Sequence, residues 1–401
     1  MKQFDEAQKV LLALLARNLF SCDYTPVPDT DWSAEIKESK AQSVLSLAFK
    51  DYKELPLEKE TKKALDETIK KHTMGNIICF KQHAYLHSLM EKNGIPYCMI
   101  KGAVSASYYP EPLLRGMGDV DFYVHPADIE RAKDVFEQDG FERTDANHRY
   151  HVVLAKGRMR CEMHFVPVSE PYGKAGEAYR EYWSEIIDTS HTVSDVICEY
   201  RAPNDFLHGL TTLAHIQGHL VSEGIGLRHF CDFAVFANSF SEEEFVSIFE
   251  EKLKRVGLWR FATLLGLAAS EYIGMPYKSW MGDDRDTAAE LMDDILSGGN
   301  FGRKNKQRTY ESLLISDRGK NGMKTNRFVQ IIISLNVITR SYWKIVDKLP
   351  ILYPVGWVYF SARYLIRLLL GKRKLNIADT IKESERRKSF YAKLNLFEPE
   401  E

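Results

Sequence analysis

One interval of strand-type patterning, residues 95–166, is set between long stretches of helical periodicity, and this arrangement does most to limit what the chain can become. Before it, apolar residues recur at mixed three and four spacing through 8–19, 41–49 and 61–91, until Asn93-Gly94 supplies a stop. Residues 95–100 then form a short β-rich run, Gly102 follows, and 103–109 carry the composition of a short helix closed by Pro110. Residues 119–124 alternate polar and apolar positions. Pro126 opens a helix whose Ile129, Ala132, Val135 and Phe136 share one face, with Gly140 as its left-handed cap. Two more strand runs, 150–155 and 159–166, flank Lys156-Gly157-Arg158, a sequence suited to a tight hairpin. The order β-α-β-α-β-β predicts an α+β fold with a small mixed sheet and helices packed on it.

Past about Pro171 the helical texture returns, most clearly in 204–219 and 227–238, with Asp205 near the start of the first. The chain therefore reads as a helical N-terminal region (1–94), a catalytic core (95–170) and a helical C-terminal region (171–401). Its 401 residues allow two or three packed units, because single cores rarely grow past about 250 residues. A formal net charge of −2 excludes a broadly basic nucleic-acid surface and modestly disfavours long nucleic acid as a partner. The six cysteines show no Cys-x-x-Cys spacing, which argues against a zinc knuckle or a disulfide framework and for reduced thiols in the cytoplasm.

The first residues lack the uninterrupted apolar run of a signal peptide. Near the C-terminus, Arg340, Lys344, Lys348, Arg363 and Arg367 break the apolar stretch into pieces shorter than the roughly 20 residues of a membrane helix, so no transmembrane span is expected. Contact with a membrane surface or a partner stays open. The aromatic residues Tyr342, Trp343, Tyr353, Trp357, Tyr359 and Phe360 read as a core or a partner groove rather than a nucleic-acid stacking platform. The charged tail, 382–401, is expected to end in a frayed segment.

Chemistry concentrates in Arg115-Gly116-Met117-Gly118-Asp119-Val120-Asp121-Phe122-Tyr123-Val124. Strand alternation sends Asp119 and Asp121 to one side and Val120, Phe122 and Val124 to the other. Two carboxylates held that close repel unless a cation lies between them, and Mg²⁺ takes one or two carboxylates together with water and phosphate oxygens. Gly118 lets the backbone approach a ligand, and Arg115 offers a guanidinium for phosphate. Upstream, Lys101-Gly102 falls at a strand end where a helix begins, a place whose amides attract phosphate. Downstream, Glu162 lies in the strand Arg160-Cys161-Glu162-Met163-His164-Phe165 and supplies a third carboxylate.

This order of strand-Gly-helix, Asp-x-Asp strand and later acidic strand resembles the nucleotidyltransferase superfamily related to DNA polymerase β. More narrowly, "IKGAVSASYYPEPLLRGMGDVDFYV", the helix ending in "DGF", the "CEMHF" strand, "NDFLHGLTTLAHIQGHL" and "RHFCDFAVF" look like the uncharacterised bacterial nucleotidyltransferases. The resemblance covers roughly residues 75–240. It implies that Asp119 and Asp121 bind both of two Mg²⁺ (or Mn²⁺) ions, while Glu162 binds the catalytic one and helps activate an acceptor hydroxyl. A nucleoside triphosphate would then lose pyrophosphate to an acceptor that is a small molecule, a sugar, an RNA end or a protein side chain. The superfamily's glycine motif usually reads Gly-Ser or Gly-Gly, whereas this chain has Gly102-Ala103, which removes a hydroxyl contact to the triphosphate. That departure keeps a second reading in view, a non-catalytic nucleotide-binding or protein-interaction module that retains the fold.

Lesser candidates have plainer roles beside their chemical ones. His164 shares a strand face with Glu162 and either enters the site or is a hydrogen-bonded structural histidine. His215 and His219 lie one turn apart on a helix, but the glutamate of His-Glu-x-x-His is missing, so one of them lines the cleft or bonds Asp232. Cys161 points to the face opposite Glu162 and reads as core packing. Nothing in the sequence chooses an oligomeric state.

Overall fold

A computed structural model describes residues 4–26, 29–145, 150–168, 171, 173–194, 198–305, 308, 332, 335–336, 339–340, 342–369, 377–396 and 398–400. Helices α1 (Glu6–Phe20), α2 (Trp32–Ala41), α3 (Leu45–Ala48) and the long α4 (Lys59–Lys92) precede the sheet. α1 begins with a capping box in which the Asp5 carboxylate accepts from Gln8 N–H and the Gln8 side chain accepts from Asp5 N–H. The helix expected over 41–49 is instead split: Ser43 takes a left-handed φ of 59°, and buried Gln42 turns its amide to Leu296 O (3.2 Å) and Leu227 N (3.1 Å). Those tertiary hydrogen bonds outweigh the local periodicity.

The central sheet contains β1 (Tyr97–Met99), β2 (Val120–Val124), β3 (Glu142–Asp145), β4 (His151–Lys156) and β5 (Met159–His164), in the order β1-β2-β5-β4-β3. β2 and β5 are parallel, and the remaining pairs are antiparallel. The mixed sheet expected from the sequence is therefore present, with β3 as an added edge. α5 (Ala103–Ala106) is a single turn after β1, and α6 (Ile129–Gln138) lays Ile129, Ala132 and Phe136 into the core. Phe136 stacks on Phe122 of β2 at 5.7 Å, and Gly140 has the left-handed φ of 85° expected at the end of α6.

Beyond the sheet come α7 (Gly173–Ser184), then a hairpin of β6 (His191–Ser194) and β7 (Glu199–Ala202) where only helical texture was expected. Its strands are four residues each and largely polar outward, too short to give a period, yet Cys198, Tyr200 and Ala202 complete the core under β1. Helices α8 (Asp205–Val221), α9 (Leu227–Asn238), α10 (Glu242–Val256), α11 (Trp259–Ile273) and α12 (Arg285–Gly298) build the second, larger core. Asn204 caps α8, accepting from Leu207 N–H at 2.8 Å. α11 packs against α1, α9 and α12, which joins the N-terminal helices to the C-terminal ones.

The last helices, α13 (Tyr353–Leu369) and α14 (Ile377–Lys393), follow residues outside the described set. In the C-terminal aromatic group Trp343, Tyr359 and Phe360 pack on one another, while Tyr342 and Tyr359 stay exposed. Among the described residues no helix is long and apolar enough to cross a membrane. All six cysteines are free, and Cys161 is in the core beneath the sheet.

Glu35 of α2 is fully buried and neither of its oxygens has a hydrogen-bond partner. Burial first, then Glu38 and Asp5, push its carboxyl from an ordinary 4.5 up to about 9. The folded state therefore holds a proton that the unfolded state releases between these two values, and stability falls as pH rises through that window. Glu35→Gln is expected to raise the melting temperature most near about pH 8 and least near about pH 5. Thermal melts of the two proteins across that range would check it.

Candidate active site

Parallel pairing of β2 with β5 sets Asp121 opposite Glu162 and Tyr123 opposite His164. Paired positions project from one face, so both carboxylates leave the sheet on the same side. Lys101, Gly102, Arg115, Gly118, Asp119, Asp121 and Glu162 all line a single cavity of about 970 Å³, bounded by the sheet, α4, α8 and α9. Gly116 and Gly118 have open space where a Cβ would stand, so the loop ahead of the aspartates leaves room for a ligand.

Asp121 is the buried one of the three acids. Lys101 Nζ donates to its Oδ1 at 3.1 Å, and His164 Nε2 donates to the same atom at 3.0 Å. Burial alone would raise this carboxyl, but Lys101 and His164 outweigh it and hold it well below the usual carboxylate range. Glu162 goes the other way: burial, then the charges of Asp121 and Asp119, push it up to about 7. Carboxylate oxygens are the ligands Mg²⁺ takes, but among the described residues the group whose ligand atoms lie within 4.8 Å of one another is His151, Glu162 and His164, so an ion shared by Glu162 and the aspartates would require their side chains to turn toward it.

The glycine turn departs from expectation in one respect. Gly102 has φ 61°, and a Cβ there would stand 2.5 Å from His83 Nε2. His83, on α4, is held neutral by burial, with a pKa lowered to about 4; its Nδ1 donates to Cys79 O (2.8 Å) and its Nε2 accepts the Ala103 N–H (3.3 Å). The amide expected to face phosphate is thus already bound, and α5 is only four residues long. Ser105, two residues on, lines the cavity and offers a hydroxyl on the same turn of chain as Ala103. Gly102→Ala combines backbone strain with a clash, so it is expected to destabilise the protein by about 1–3 kcal/mol, read from chemical denaturation.

Arg115 is not extended toward a ligand. Its Nε and one terminal nitrogen donate to Asp232 of α9 at 2.7 and 2.8 Å, and its other terminal nitrogen is 3.4 Å from Gly102 O. Tyr109 Oη donates to the same carboxylate at 2.7 Å. Of the two places expected for a histidine of α8, the cleft wall is the one taken, by His215 and His219, while Asp232 belongs to this Arg115–Asp232–Tyr109 group, which ties the glycine turn and the loop before β2 to α9.

A family model described as "Uncharacterised nucleotidyltransferase" matches residues 28–274, more than half of the chain. This chain belongs to that family. The match runs from just before α2 through α11, beyond both ends of the residues that carry the sequence resemblance. Comparison with curated proteins finds no match. Family membership makes nucleotidyl transfer the general activity to which the cavity's chemistry is referred.

Several lining groups of this nucleotidyltransferase-family site escape a reading of the sequence. Asn76 of α4 accepts from Met117 N–H at 3.1 Å and donates to Leu113 O at 2.6 Å, fixing the loop before β2. Across the cavity, His215 and His219 of α8 and His229 of α9 cluster with ring centroids 4.4–5.6 Å apart, and burial foremost keeps all three neutral. Arg228 borders them with its Nε buried and without a partner, beside the exposed ring of Phe301. His215 and His219 are the one-turn pair of α8, whereas Asn76, Arg228 and His229 belong to no local motif and the fold alone brings them to the cavity. His151 is different. Counting outward from Gly157 pairs it with His164, so the hairpin turn already implied that it shares a face with Glu162.

Proposed function

We propose that this protein transfers a nucleoside monophosphate from a nucleoside triphosphate to a hydroxyl acceptor, with release of pyrophosphate. The observation that carries the reading is the in-register Asp121–Glu162 pair, which lines with Asp119 a cavity that also carries lysine and arginine side chains. Asp119, Asp121 and Glu162 would hold Mg²⁺ or Mn²⁺. Such ions, when bound, neutralise charge on the reacting phosphate and lower the pKa of a bound hydroxyl.

The chain's own residues account for the rest. Lys101, Arg158, Arg228 and Arg303 line the cavity and give a polyanion a favourable place beside the carboxylates. Glu162, opposite Asp121 on the same face of the sheet, is placed to take the acceptor's proton as the hydroxyl oxygen bonds to the α-phosphorus and the α–β bridging bond breaks. His164 and Lys101 keep Asp121 ionised and fixed in direction. A cavity of about 970 Å³ leaves room for an acceptor next to a nucleotide.

A panel of nucleoside triphosphates in Mg²⁺ or Mn²⁺, with cell lysate as acceptor source, tests this. Label transfer with stoichiometric pyrophosphate supports it. One observation favours the second reading, a nucleotide-binding module without catalysis: the Ala103 amide is occupied by His83. That reading predicts nucleotide binding with the triphosphate intact after long incubation.

A further inference from the structure

The imidazoles behind Glu162 carry an inference of their own. His151 on β4 and His164 on β5 are cross-strand partners, and both rings rise on the face that carries Glu162. Their Nε2 atoms converge on one carboxylate oxygen: Glu162 Oε2 is 3.6 Å from His151 Nε2 and 3.8 Å from His164 Nε2. The other oxygen, Oε1, faces Arg160 at 3.6 Å, so the two sides of the carboxylate are divided between different neighbours. One ligand atom from each of the three residues lies within 4.8 Å of the others.

Those separations are too long for hydrogen bonds. They are close to the edge of a tetrahedron around an ion with metal–ligand bonds of about 2.0–2.1 Å, an edge of roughly 3.3–3.5 Å. Two imidazole nitrogens and one carboxylate oxygen, with a position left for water, are the ligands of a borderline transition cation rather than of Mg²⁺. The side chains are 7–16% exposed, so little rotamer freedom is lost when an ion arrives.

We propose that His151, His164 and Glu162 form a Zn²⁺-class site, and that filling it switches nucleotidyl transfer off. The second half rests on the function proposed above. Occupancy engages Glu162 Oε2, an oxygen of the carboxylate on which the proposed transfer depends. It also takes the Nε2 lone pair of His164, moving that ring's proton to Nδ1 and ending the hydrogen bond to Asp121 Oδ1. One binding event thus disturbs two of the three carboxylates. His151 takes no part in the proposed transfer, which separates the two functions by mutation.

The full chain titrated with Zn²⁺ against a chromogenic chelator should bind one equivalent, and His151→Asn should weaken that affinity by about tenfold or more. His151→Gln serves as a second variant, circular dichroism reporting the fold of each, and Asp119→Asn should leave Zn²⁺ affinity unchanged. In Mg²⁺, Zn²⁺ should inhibit label transfer by the wild type and spare His151→Asn. Equal Zn²⁺ affinity in wild type and both folded His151 variants overturns the site, even if transfer proceeds in Mg²⁺. Affinity lost in those variants with no transfer from any triphosphate upholds the cation site and counts against the function.

Discussion

Asp121→Asn is expected to lower label transfer by about three orders of magnitude or more, the rate equivalent of several kcal/mol of lost charge stabilisation. The asparagine keeps the shape and one oxygen, so it still accepts from Lys101 Nζ and His164 Nε2, and the fold should survive. What it loses is the negative charge. In the wild type that charge does two things: it helps bind cations, and with burial and Asp119 it raises Glu162. The variant should therefore show a Glu162 that ionises at lower pH, together with weakened Mn²⁺ binding. Single-turnover transfer and Mn²⁺ titration by electron paramagnetic resonance read the two effects separately. Transfer within about tenfold of wild type would remove Asp121 from the proposed chemistry.

Asp232→Ala should have the largest effect on stability, about 3–5 kcal/mol and on the order of 10 °C in melting temperature. The reason is the partner left behind. Arg115 is 5% exposed, and two of its nitrogens are satisfied by this one carboxylate. Removing the carboxylate leaves a buried guanidinium without its counter-charge, and Tyr109 loses its acceptor as well. Adding Arg115→Met to Asp232→Ala should recover much of the loss, since a buried ion pair replaced by apolar groups is often close to neutral. A double variant no more stable than Asp232→Ala would instead assign the loss to packing around α9.

The legible parts of this molecule are those set by short-range rules. Alternation along 119–124 and the Lys156-Gly157-Arg158 turn were enough to bring Asp121 and Glu162 to one face, because β2 and β5 then need only lie side by side. The same turn sets His151 opposite His164 and so on the face of Glu162. What could not be read are the long-range contacts. His83 reaches Ala103 from twenty residues away and fills the amide expected for phosphate. Arg115 meets Asp232 across 117 residues, and Ser43 breaks a helix because Gln42 bonds Leu227 and Leu296. The β6–β7 hairpin was missed for another reason: four-residue strands carry too little pattern to stand out from loops.

The proposed transfer requires Asp119, Asp121 and Glu162 to hold one cation between them. Diffraction at the manganese edge, from crystals grown with Mn²⁺ and a non-hydrolysable nucleoside triphosphate, tests it most directly. An anomalous peak roughly 2 Å from oxygens of both aspartates, with Glu162 turned to the same ion, is the predicted result. A nucleotide seated in the cavity with manganese elsewhere, or with Glu162 turned away from the aspartate pair, would contradict it.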